Sequence, residues 1–146
     1  MAAQTLSSQN ALTRSAIAGI IGGIGGGIVF GLMMGVQGML PMVGMLIGQD
    51  NALVGFVVHM LISAFIGATF GVIAQRVPST LVVRLIAGAV YGVVWWVLGA
   101  LVLMPVMLGM SAMVLQIGDM QISSLVGHLV FGVIMGGIYH VASARA

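Results

Sequence analysis

The chain has no cysteine, no lysine and no glutamate, and its 146 residues carry four arginines and two aspartates. The missing thiols exclude disulfides, thiolate metal sites and cysteine-linked haem. The scarcity of charge excludes an ordinary soluble domain: 4% of residues are charged, 61% are hydrophobic, and the mean hydropathy is +1.27. The isoelectric point near 10.0 reflects four Arg over two Asp. Nucleic-acid binding needs a clustered basic face, so it is excluded as a function. Catalytic signatures are missing as well. There is no nucleophile elbow, no phosphate-binding glycine loop after a strand and no HExxH, and the chain reads as non-enzymatic.

What remains is hydrophobic sequence in long runs. Met1 to Ser15 is polar and reads as a short retained tail. The first run, Ala16 to about Leu40, is longer than a signal-peptide core and gives roughly 38 Å of helix at 1.5 Å per residue. Pro41 interrupts it, and Met42 to Ile47 is expected to bend along the membrane surface or fold back into it. Further spans are expected at Leu53 to Ala74, about Leu81 to Met104, and Ser124 to Ala142, with Val106 to Leu115 an apolar extension beyond Pro105. The predicted class is an all-α integral membrane protein, one domain over 1–146, built as a four-transmembrane-helix bundle. Arg14, Arg76, Arg84 and Arg145 fall on one side of these spans, and Asp50 and Asp119 on the other. The positive-inside rule then makes both termini cytoplasmic.

Glycines 19, 23, 27, 31 and 35 recur at every fourth residue of the first run, which leaves one helix face without side chains. In lipid, helices associate through close backbone approach, so Gly19, Gly23, Gly27 and Gly31, with Gly67 and Gly136 later, are the predicted packing residues. Shifting the chain by 69 positions superposes Gly19 on Gly88, Gly23 on Gly92, Asp50 on Asp119, His59 on His128, Gly67 on Gly136 and Arg76 on Arg145. This predicts a tandem, parallel two-helix repeat with units at about 16–77 and 85–146. Trp95 and Trp96 stand where the first unit has Gly26 and Gly27. They are read either as bulk filling a glycine groove or as the wall of a bound pigment, quinone or lipid.

Candidate sites follow from the few polar groups inside the spans. His59, Ser63, Gly67 and Gly71 form one stripe, and His128, Gly132, Gly136 and His140 another. Two histidines related by a pseudo-two-fold axis could hold a b-type haem, with Trp95 and Trp96 beside it, or serve as hydrated or packing residues. His59 and His128 with Asp50 and Asp119 are a candidate set for zinc, manganese or iron. Met39, Met42 and Met45, then Met104, Met107, Met110 and Met113, place thioethers suited to Cu(I) around Met42 and Met107, although methionine also packs irregular gaps.

The segments Gly38-Met39-Leu40-Pro41-Met42, Tyr91 to Gly99 and Gly127-His128-Leu129-Val130-Phe131-Gly132 resemble those of small, glycine-rich, uncharacterised four-span bacterial membrane proteins. The resemblance implies a bacterial cytoplasmic membrane and no activity. The leading functional expectation is an accessory or structural subunit, or a homo-oligomerising helix-packing module, in contact with lipid and other membrane subunits. A haem- or pigment-bearing electron-transfer protein is the first alternative. A small metal or solute transporter, suggested by the parallel repeat and by helices interrupted at Pro41 and Pro105, is the second.

Overall fold

The structure is a computed structural model that describes residues 2–144, with side chains from Gln9 onward. The first helix, α1, covers Ala2–Val36. The polar segment expected as a tail is therefore helical from Ala2. Once a long apolar helix is nucleated, adding residues such as Ala, Gln and Leu at its end costs little. After a turn at Gly38 (φ 68°), a short helix α2, Leu40–Gly44, carries Pro41 in its first turn, where a missing N–H is harmless. It tightens into a 3₁₀ turn, Met45–Ile47, that ends at left-handed Gly48. Leu40 and Val43 are buried and α2 lies against the next helix, so this segment folds back into the bundle and does not run along a surface.

Asn51 starts α3, Ala52–Ala74: its Oδ1 accepts from the N–H groups of Leu53 and Val54 at 2.9 and 3.1 Å. The neighbouring Asp50 makes no cap. α4, Leu81–Trp95, continues without a break into a π-helical stretch, Trp96–Leu103, and then into α5, Met104–Met107. The third span thus passes Pro105 instead of stopping there. Proline has no N–H for the carbonyl four residues earlier, which is Leu101. That carbonyl accepts instead from the Leu115 N–H at 2.9 Å, and Leu115 takes a left-handed conformation (φ 57°) to reach it. A 3₁₀ turn at Ser111–Met113 precedes this tie. The last helix, α6, spans Asp119–Ser143, and the Gln121 side chain accepts from the Gly118 N–H at its start. Arg145 lies outside the described residues.

Among the described residues, four helical segments are long and apolar enough to cross a membrane: Gln9–Val36, Ala52–Ala74, Leu81–Met107 and Asp119–Ser143. α1 packs along both α3 and α6, and α4 packs along α6. α3 and α4 close the ring with sparser contact, with Thr69 Oγ1 2.8 Å from Tyr91 Oη and the Phe65 and Trp95 rings 6.2 Å apart. The bundle has an arginine end, with Arg14, Arg76 and Arg84, and an aspartate end, with Asp50 and Asp119.

The close contacts are backbone on backbone. A methyl group placed on Gly19 would fall on the Gly67 carbonyl oxygen and 2.9 Å from Gly71 Cα, and one on Gly67 would fall on the Gly19 carbonyl oxygen. Gly23 meets the Ser63 carbonyl in the same way, and Gly27 meets the Ser63 hydroxyl. At Gly31 a methyl would press on the Phe56 ring. Gly22 and Gly26 form a second face of α1 that touches the Met135 and Phe131 carbonyls of α6, so α1 is smooth on two sides. Gly35 has only ordinary contact with Leu40, and no close approach requires glycine there. Since helix backbones fill the glycine grooves of α1, neither Trp95 nor Trp96 occupies them.

The other pair is built likewise, with Gly88 against the Gly132 carbonyl, Gly92 against that of His128, and Gly136 against that of Arg84. Its register differs from the 69-residue offset. Gly23 and Gly92 are 69 apart, yet the carbonyls they meet, Ser63 and His128, are 65 apart, as are Gly67 and Gly132. Relative to α3 on α1, α6 is slid along α4 by four residues, about 6 Å or one helical turn.

Candidate functional site

The slide has a direct consequence for the histidines. At equivalent packing levels His59 corresponds to Ser124, and Ser63 to His128, so each level carries one imidazole and one hydroxyl. Within each helix the two are four residues apart and on one face. His59 Nε2–H donates to the Gly27 carbonyl at 3.0 Å, with Ser63 Oγ 3.5 Å away. His128 Nδ1–H donates to the Ser124 carbonyl at 2.8 Å, one turn back. This leaves Nε2 of a neutral His128 as an acceptor.

Both histidines line a cavity of about 470 Å³ in the aspartate half of the bundle. Trp95 and Phe65, which bridge α3 and α4, also line it, as do Phe30 from α1, Leu46 beyond α2, Ala100 and Leu103 of the π-helical stretch, and Ser124 and Phe131 from α6. Its only side-chain polar groups come from His59, His128, Ser63, Ser124 and Trp95. Rim residues Phe65, Leu103 and Met107 are exposed, so the cavity opens sideways along the seam where α3 and α4 fail to pack. The Trp95 indole N–H is buried with no acceptor.

Of the residues expected to hold a cofactor, His59, His128 and Trp95 are brought together here. Trp96 is not: its Nε1–H donates to the Gln121 carbonyl at 2.8 Å, which ties the π-helical stretch to the start of α6. The Phe30 ring contacts both imidazoles, 5.4 Å from His59 and 4.8 Å from His128 between ring centres. A bis-imidazole haem needs one free nitrogen on each ring across an open slot; each imidazole keeps one, but the Phe30 ring packs against both of them, so the arrangement does not hold that slot open.

The mixed carboxylate–imidazole site does not assemble. Asp50 and Asp119 are exposed at the helix starts, and among the described residues no three His, Cys, Asp or Glu side chains group together. Of the methionines, Met107 reaches the rim of the cavity and Met104 its wall, while Met42 is half-buried and does not line it. Met45, Met110 and Met113 are exposed. His140, in the same stripe as His128, lies at the arginine end beside Arg14, Arg84 and Tyr139. The role of Arg84, Tyr139 and Ser15 there was not visible in the spacing of residues, because they come from three helices and share no motif.

Among the described residues, fold and cavity together define an all-helical bundle whose four long apolar helices suggest a multi-pass membrane protein, with a largely apolar cavity of ligand size in one half. The chain belongs to the DUF1440 family, described as proteins of unknown function, whose model matches residues 29–137. All of the cavity-lining residues fall within that match. No curated protein and no solved structure matches the chain.

Proposed function

We propose that this protein is a non-enzymatic membrane module that holds an apolar, chain-bearing molecule with one hydroxyl or carbonyl group in the cavity between α3 and α4. It serves as an accessory subunit, built from two helix pairs of a tandem repeat, in the bacterial cytoplasmic membrane with both termini inside. The observation that carries this reading is a largely apolar cavity of ligand size whose polar side chains are His59, His128, Ser63, Ser124 and Trp95. His128 Nε2, left as an acceptor by the bond from Nδ1–H to the Ser124 carbonyl, would take a hydrogen bond from a ligand hydroxyl. The imidazoles are bound to carbonyls, and no carboxylate lines the cavity, which supports binding over acid–base chemistry.

The test is to extract the full chain gently from its own membrane, record its absorption spectrum, and identify bound small molecules by mass spectrometry. The expected result is a hydroxyl- or carbonyl-bearing isoprenoid or acyl molecule near one per chain, reduced in Ala100→Trp, whose indole intrudes on the cavity. Bound molecules that match bulk lipid in both proteins would overturn the reading. A Soret band would replace it with haem binding and require Phe30 to move.

A further inference from the structure

At the opposite end of the bundle a second pocket, of about 940 Å³, is lined by Arg14, Arg84, His140, Tyr139, Ser79 and Ser143 among others, and none of the described lining residues is a carboxylate. Arg84 is 94% buried, at 6% exposure. One guanidinium nitrogen donates to the Ala74 carbonyl, and the group lies over the Tyr139 ring at 4.9 Å. Tyr139 is fixed in turn by Ser15, whose Oγ is 2.6 Å from its hydroxyl and donates to the Gly71 carbonyl at 2.8 Å. Among the described residues there is no ion pair to Arg84, and both aspartates are at the far end. A buried guanidinium is normally paired with an anion, and the bond to Ala74 uses one donor of the Arg84 fork while the side chain lines the pocket.

Arg84 is the fourth residue of α4, so the pocket sits where a span meets the polar boundary of the bilayer. We infer that this pocket binds a phosphoryl group, with Arg84 as the oriented bidentate donor and Arg14 and His140 beside it. At that depth the phosphoryl is the phosphodiester of an anionic lipid. Free phosphate shares the chemistry but has no acyl chains to follow the apolar helices. The pocket is separate from the Trp95 cavity, and the inference does not depend on what that cavity holds.

The test uses the full chain in a neutral detergent, titrated with short-chain phosphatidylglycerol, with phosphatidylcholine of the same chains, and with inorganic phosphate. Bound lipid is counted by native mass spectrometry and the thermal midpoint is followed. One phosphatidylglycerol per chain is expected, at least about tenfold tighter than phosphatidylcholine and displaced by inorganic phosphate only at high concentration. Arg84→Gln should abolish that preference and Arg84→Lys should retain part of it. Arg76→Gln, outside the pocket, should leave it unchanged. If Arg84→Gln fails to fold, Arg14→Gln combined with His140→Gln should reduce the preference by a similar factor. Equal binding of the two lipids, or a preference that survives these substitutions, overturns the proposal. Protection by inorganic phosphate equal to that by lipid would assign the site to soluble phosphate and overturn the lipid reading.

Discussion

Adding a single methyl group at Gly67 gives the most direct measure of how the bundle is held. The Cβ of Gly67→Ala would land on the Gly19 carbonyl oxygen and 2.8 Å from Gly23 Cα, both backbone atoms that cannot rotate away. α1 and α3 must therefore separate, and α1 cannot simply retreat, because its other face rests on α6 through Gly22 and Gly26. Forced overpacking costs about 1–3 kcal/mol. The better helix propensity of alanine returns up to about 1 kcal/mol, which leaves a net loss of up to about 3 kcal/mol. The assay is reversible unfolding in mixed micelles with increasing dodecyl sulfate, followed by circular dichroism. Gly35→Ala is the internal control, since its Cβ would meet only Leu40 Cδ1 at an ordinary 3.4 Å. If Gly67→Ala and Gly35→Ala unfold at the same detergent fraction as the parent chain, backbone contact does not hold these helices together.

Other outcomes follow from single contacts. Trp96→Phe removes the indole donor that ties the π-helical stretch to the Gln121 carbonyl, whereas Trp95→Phe removes a donor that has no partner among the described residues. The first should be the more destabilising by about 0.5–1.5 kcal/mol, and equal losses in thermal melts would contradict the assigned hydrogen bonds. Leu115→Gly relieves a left-handed non-glycine residue that is itself exposed, and a net gain of about 0.5–1 kcal/mol is expected. A loss on that substitution would mean the Leu115 side chain contributes more than its backbone costs. Reporter fusions to the two termini should both score as cytoplasmic, and an external C-terminus would overturn the orientation inferred from the arginines.

Much of the fold could be read from hydrophobic runs, because 20-odd apolar residues between polar breaks leave few alternatives to a spanning helix. The limits of α1 could not, since Ala2 to Ser15 is polar and its helicity comes from continuing a helix already formed. The dense glycines near residue 22 satisfy several spacings at once. The four-residue stripe through Gly19 and Gly23 was therefore visible, while the second face through Gly22 and Gly26 was hidden in it. Pro105 reads as a stop in sequence, and only the long-range bond from Leu115 to Leu101 shows how the helix passes through it. The convergence of His59 and His128 was accessible from their placement on inward stripes, and Trp95 joins them as one of its two readings, the wall of a ligand site, expected. The one-turn slide that sets each histidine opposite a serine was not, because an ungapped alignment compares residues within helices and carries no information about how far one helix has moved along another.

The seam between α3 and α4 also determines how any occupant of the cavity has to be counted. With α3 and α4 touching there through Thr69, Tyr91, Phe65 and Trp95, an entrance between them would face acyl chains when the four apolar helices cross a bilayer. An entering molecule first partitions into lipid and then diffuses in two dimensions. The concentration that governs occupancy is its mole fraction among membrane lipids, and bulk lipid is a permanent competitor at the same doorway. A dissociation constant in aqueous molar units would change with the amount of membrane in the tube, while one expressed per lipid would stay constant.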